Sequence, residues 1–297
     1  MRTYITFVFL CGFLLAAGLK PLHAQKEAAS FFDEYQDSLN ILAGNMFHAM
    51  LPDDRMNAGI SFAKLLYKTL KAQGSFQYHF DSLGRQIHIL YPEDRSFRIF
   101  NWLVPAGENI VRYYGIVQTT DTVYPLVNYS ERLIDSKTFL FDSLDAKHWF
   151  GAEYYRILTR KVNGTDYYFI FGLNMDGIYS NKKIIDVLHF GESGPVFGAP
   201  LFVYPSEDGR LQRQDRILWQ YKKGAAFSLD FDNNRKFIAF DELHSRINDP
   251  LRKDTYVPTG KVDGLRWEND HWLFVDGAIT PMRLKDGQAP INGVIQN

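Results

Sequence analysis

The chain has 297 residues, 46% of them hydrophobic, with 33 basic against 34 acidic residues and a formal net charge of −1. That balance argues against a nucleic-acid partner, because polyanion binding draws on a basic stripe or patch. The single cysteine, Cys11, excludes an internal disulfide framework, thiolate metal clusters and, if the leader below is removed, a cysteine nucleophile.

Arg2, an apolar run over residues 5–19 and a polar stretch ending in Leu22-His23-Ala24 predict a cleavable signal peptide over residues 1–24. The apolar run has 15 residues, short of the roughly 20 that span hydrocarbon. Cys11 follows Phe9 and Leu10 rather than the small residues of a lipoprotein cut. Cleavage after Ala24 leaves 273 residues, with 31 basic and 34 acidic side chains, a formal charge of −3 and no cysteine. No later segment is long and apolar enough to predict a transmembrane span.

Residues 25–74 carry helical periodicity. Phe31, Tyr35, Leu39, Leu42 and Met46 form one apolar set, and Met56, Ile60, Ala63, Tyr67 and Leu70 form a second after Pro52. Asp53 and Asp54 suit the start of the second helix and Gly74 its C-terminal cap. The spacing therefore predicts two helices joined at Leu51-Pro52.

From Ser75 to the end, short β-branched and aromatic runs alternate with turn residues, which predicts an antiparallel β domain over residues 75–297. Asn163-Gly164, between aromatic runs at 152–162 and 166–172, is the strongest hairpin signal. Asp208-Gly209, Asn233-Asn234 and Asn269-Asp270 predict further tight turns. The fold class is thus mainly β: an N-terminal helical pair, then a long antiparallel meander of about twelve to sixteen strands, open or sandwiched. A small propeller is the alternative, prompted by four similar strings beginning at Phe80, Phe100, Phe141 and Phe240. Their spacings of 20, 41 and 99 are irregular, so they read first as strand ends followed by Asx turns.

Several motifs resolve into ordinary structure. Gly191-Glu192-Ser193-Gly194-Pro195 resembles the nucleophile loop of chymotrypsin-like proteases but lacks its following Gly and any matching histidine context. Pro195 also rules out a nucleophile elbow, so the string reads as a loop. Asn174, Asp176 and Ser180 are spaced like oxygen ligands, yet Gly177 comes too early for an EF-hand and no glutamate closes the loop; Asx capping accounts for them, and likewise for Asp230 and Asp232. The seven histidines outside the leader, His48, His79, His88, His148, His189, His244 and His271, form no metal-binding pair by spacing. The densest basic stretch, residues 210–216, alternates with Gln and Asp and reads as the solvated face of a strand. No catalytic residue, metal site or cofactor follows from the sequence.

Aromatic residues make up 15% of the chain, with tandem pairs Tyr113-Tyr114, Tyr154-Tyr155 and Tyr167-Tyr168. Neighbours on a strand face opposite sides of the sheet, so one ring of each pair is expected in the core and the other on an outer face. Cross-strand packing is the first account of these rings. The binding expectation places Trp149 at the entrance to the 152–162 strand after a polar stretch, with Tyr154 or Tyr155 extending its surface and Asp176 supplying an acceptor. Rings and an acceptor are the minimum of a glycan- or peptide-docking site.

Residues 91–102, 149–155, 181–190 and 195–202 together resemble a family of exported proteins of Bacteroidota for which no activity is known. The resemblance spans most of residues 75–270 and implies a Gram-negative envelope setting, periplasmic or outer-membrane-associated. It transfers no site residue. The function expected is a non-catalytic envelope protein that binds a partner protein or a glycan; the alternative is an envelope hydrolase using carboxylates without a local signature.

Overall fold

The computed structural model describes residues 22–134, 136, 138–206 and 208–279. The expected leader lies outside the described residues up to residue 21; helix α1 (Leu22–His48) begins at its end. Helix α2 (Pro52–Leu70) starts at Pro52, with Asp53 and Asp54 in its first turn, where carboxylates favour the helix dipole. It closes at Leu70, earlier than expected, and Gly74 (φ 87°) instead opens the short 3-10 turn Ser75–Gln77. No helix among the described residues is long and apolar enough to cross a membrane.

Among the described residues, sixteen strands form three sheets. The first contains β1 (His88–Leu90), β2 (Phe97–Gly107), β3 (Ile110–Thr119) and β4 (Val123–Leu126), in that order and antiparallel. The second runs β5 (Leu144–Asp145), β9 (Gly194–Phe197), β8 (Ser180–Gly191), β7 (Thr165–Asn174), β6 (Glu153–Val162). In it the start of β8 pairs with β12 (Ile217–Lys222) and its end with β9. The third runs β11 (Leu211–Gln214), β10 (Phe202–Pro205), β16 (His271–Ile279), β15 (Tyr256–Glu268), β14 (Phe237–Ser245), β13 (Leu229–Asp232). All pairs are antiparallel except β10 with β16. Thus the sandwiched form of the meander is the one realised. The four similar Phe strings occupy unlike places: a 3-10 turn, the inside of β2, a loop before β5 and the inside of β14. They therefore do not mark equivalent propeller strands.

The layers stack as helices, first sheet, second sheet, third sheet, and a core fills each gap. Phe62 and Leu66 of α2 meet Phe100, Trp102 and Val104 of β2. Phe97 and Ile99, from the other face of β2, meet Tyr154, Tyr168 and Ile170 of the second sheet. Phe169, Phe171 and Val187, on that sheet's far face, meet Phe202, Phe240 and Trp272 of the third. Two sheets are therefore buried on both sides, which accounts for uninterrupted runs such as Tyr-Tyr-Phe-Ile-Phe at 167–171. It also accounts for the tandem tyrosines: Tyr113, Tyr154 and Tyr168 enter the middle core while Tyr114, Tyr155 and Tyr167 pack against the neighbouring ones. The outer aromatic face expected of each pair is the inner face of the next layer.

The buried helical stripes are rotated from the expected ones. Phe32, Leu39, Ala43 and Met46 are buried in α1, whereas Phe31 is 40% exposed; Ile60 of α2 is 42% exposed. Each helix packs against both its partner and the sheet, so the stripe is centred between those contacts. Gly59 marks the closest approach, where a Cβ would come within 2.7 Å of Val104. The tight turns fall where expected: Asn163 (φ 50°) and Gly164 (φ 84°) join β6 to β7 with the paired positive φ of a type I′ hairpin, and Asn269 and Asp270 do the same for β15 and β16.

Candidate functional site: a polar groove at the edge of the third sheet

The four residues expected to form a binding surface do not share one. Trp149 is fully buried in the middle core, its Nε1 donating to the Tyr154 hydroxyl at 2.6 Å. Its backbone is held too, N donating to Val127 O and O accepting from Tyr129 N. Gly115 leaves room for the indole, whose Cη2 lies 3.4 Å from where a Cβ would stand. The ring is inaccessible because the stretch before it is not free loop: β5 and the 3-10 turn Ala146–His148 fold it under the first sheet. Tyr154 is 1% exposed, and burial raises its hydroxyl pKa further than any neighbouring charge does. Tyr155 faces the other core, donating to Leu229 O at 3.0 Å. Asp176 accepts from Val111 N at 3.0 Å and pairs with Arg112, which makes it a brace for the β2–β3 hairpin. Asn174 accepts from Asp176 N, the Asx capping expected there. Ser193 is an exposed residue in the turn between β8 and β9.

A groove of about 950 Å³ lies between β10, the edge strand β11, the start of β12 and the loop at Leu140 and Phe141. Alternation along β11 sorts its side chains: Leu211 and Arg213 are exposed, while Gln212 and Gln214 turn inward and line the groove. Gln214 is 3% exposed. Neither amide has a hydrogen-bond partner among the described residues. Phe141, 43% exposed, offers a ring at the rim. In the wall, the Tyr204 hydroxyl accepts from Trp219 Nε1 at 3.1 Å, and burial raises its pKa.

Arg216 holds this wall in place. It belongs to the stretch read as a solvated strand face, a reading that fits Arg210 and Arg213 and fails for Arg216, which is wholly buried. Its guanidinium donates to Asp186 Oδ1 at 3.1 Å, to Asp142 O at 2.8 Å, to Phe197 O at 2.9 Å and to Phe139 O. Asp215 N adds a bond to Leu140 O at 2.8 Å. Leu140 and Phe141 are thus clamped from both flanks. A guanidinium suits this place because its planar fork can satisfy several acceptors at once.

A smaller cavity of about 530 Å³ lies at the far end of β12, lined by Ile178, Tyr179, Lys222, Lys223, Arg246 and Asp254 among others. Separately, Glu242, Asp263 and Asp276 bring carboxylate oxygens within 4.8 Å of one another, a set that can hold a hard cation. They meet where β15 is bulged against both neighbours. Burial, then the charges of Glu242 and Asp276, raise the Asp263 pKa against the pull of the Gly277 N–H. None of the three lines either cavity.

Comparison with protein-family models, with curated proteins and with solved structures finds no match for this chain. Sequence reasoning missed Gln212, Gln214 and Phe141; the available signal was the period-two placing of the two glutamines.

Proposed function

We propose that this protein is a non-catalytic binding protein of the cell envelope whose groove takes a neutral glycan. One observation carries the reading: Gln214, nearly enclosed, turns an unpartnered amide into the groove. Facing the groove, that amide offers a ligand hydroxyl both a donor and an acceptor. Gln212 repeats that chemistry two residues away, and the half-exposed Phe141 ring offers an apolar face to a sugar ring. The clamp on residues 139–142 fixes the groove in advance, which lowers the ordering cost of binding. Export rests on the leader motif, and the envelope setting on that motif with the resemblance to exported Bacteroidota proteins.

Binding suits these residues better than hydrolysis. A glycosidase sets two carboxyl groups about 5–9.5 Å apart across the scissile bond, whereas the acidic trio is closer together and lies off the groove. Titration calorimetry against neutral envelope oligosaccharides tests the proposal. Gln214→Leu and Phe141→Ala should each weaken binding about tenfold or more with the melting temperature held. Wild-type protein that ignores neutral glycans, or captures polypeptide in the same groove, would overturn it.

A further inference from the structure

A second surface lies at one end of the layered stack, where loops from all four layers are tied together. Arg55 donates to Ala49 O and Met50 O in the α1–α2 turn and to Pro105 O of β2. Gly177 N donates to Asn109 O, linking the β2–β3 tip to the β7–β8 loop. Lys223 N donates to Tyr179 O, linking that loop to the end of β12. The 530 Å³ cavity then joins Ile178 and Tyr179 to Arg246 and Ile247 of the β14–β15 loop.

Each of these tips carries exposed apolar side chains: Met50 90%, Ile110 43%, Ile178 64%, Tyr179 71%, Ile247 56% and Leu251 81%. Between them stand Lys222 and Arg246, both exposed and lining the cavity, their side-chain charges with no ion-pair or hydrogen-bond partner among the described residues. The acid in that lining, Asp254, is paired with Arg252. The cavity lining, with Lys222, Lys223 and Arg246 against Asp254, is therefore cationic on a chain whose net charge is −1, while the acids Asp53, Asp54 and Glu108 stand on the outlying tips.

We infer that this end of the molecule docks on an anionic lipid surface, with the aliphatic tips entering the acyl boundary and Lys222 and Arg246 meeting headgroup phosphates at the cavity. Aliphatic side chains standing singly on separate loops, with cations between them, match an interface that yields around each tip; a protein partner would need one continuous complementary face. The β7–β8 tip also brings little unpaired backbone with it. Lys223 Nζ caps the carbonyls of Met175 and Gly177, and Lys182 Nζ caps that of Asp176. A tip whose carbonyls are already satisfied avoids the cost that polar backbone incurs on leaving water.

The test is co-sedimentation of the chain recovered from expressing cells, its N-terminus sequenced to establish that the leader is gone, with phosphatidylcholine vesicles carrying or lacking one third phosphatidylglycerol. Binding should require phosphatidylglycerol and fall with added salt. Replacing Ile178 and Ile247 together by Asn should weaken it roughly tenfold or more, and Lys222→Ser or Arg246→Ser about fivefold each. All four side chains are exposed or lie at the cavity rim; Leu251→Asn provides an independent apolar variant should the Ile pair fail to fold. Equal binding to both vesicle types, no binding, or apolar variants that bind as wild type overturn the inference. So does full competition by soluble glycerol phosphate, which would make the cavity an anion site alone. The groove residues are untouched, so glycan binding by the same variants separates this failure from failure of the groove reading.

Discussion

Replacing Arg216 by Met tests the clamp that shapes the groove. Arg216 and Asp186 have side chains with no exposed surface, and Asp186 Oδ2 has no hydrogen-bond partner. With the guanidinium gone, the carboxylate keeps only the Val187 N–H at 2.9 Å. The carbonyls of Phe139, Asp142 and Phe197 lose a donor as well. Removing one member of a buried pair costs about 3–5 kcal/mol, a large share of the 5–15 kcal/mol that typically separates folded from unfolded domains. Arg216→Met should therefore lower stability by about that much in urea titrations followed by tryptophan fluorescence. Arg216→Met with Asp186→Leu removes the stranded charge, so the double variant should stand closer to wild type than Arg216→Met alone, with the orphaned carbonyls as the remaining cost. A single-variant loss under about 1 kcal/mol, or a double variant no better than the sum of the singles, would refute the view that the pair's charge is held by this one contact. Arg216→Lys keeps the charge without the fork; it should retain more stability than Met yet loosen Leu140 and Phe141, and so weaken glycan binding.

Three further outcomes follow. Trp149→Ala should cost about 3–5 kcal/mol in the same titration, because an enclosed indole and its bond to Tyr154 are both lost; a neutral effect would return Trp149 to the surface. Asp263 has a native pKa raised above the ordinary 3.8, so the folded state holds its proton more tightly than the unfolded chain. Its contribution is full below the unfolded value and is lost as pH rises through the native value. Asp263→Asn should flatten that decline in a thermal-melt series, and an unchanged pH profile would count against the assignment. Ser193→Ala, in an exposed turn, should shift stability by no more than about 0.5 kcal/mol, and loss of a measured hydrolysis with the fold intact would reopen the nucleophile reading.

The sequence by itself determined the elements. Helical period, the Leu51-Pro52 break, the switch to short aromatic strands at Ser75 and the Asn-Gly turn at 163–164 are local signals set by backbone sterics and side-chain spacing, and they translate directly into α1, α2 and the β6–β7 hairpin. What it could not show is which face of a strand meets water. Period two assigns Tyr154 and Tyr155 to opposite faces, but only the stacking of the first sheet on one face and the third on the other turns both inward, and it is the first that encloses Trp149. Burial is a property of the neighbouring layer, contributed by residues distant along the chain. The same holds in reverse for the groove: Gln212 and Gln214 read as ordinary polar strand residues until the edge of the third sheet, the start of β12 and the loop pinned by Arg216 converge around them.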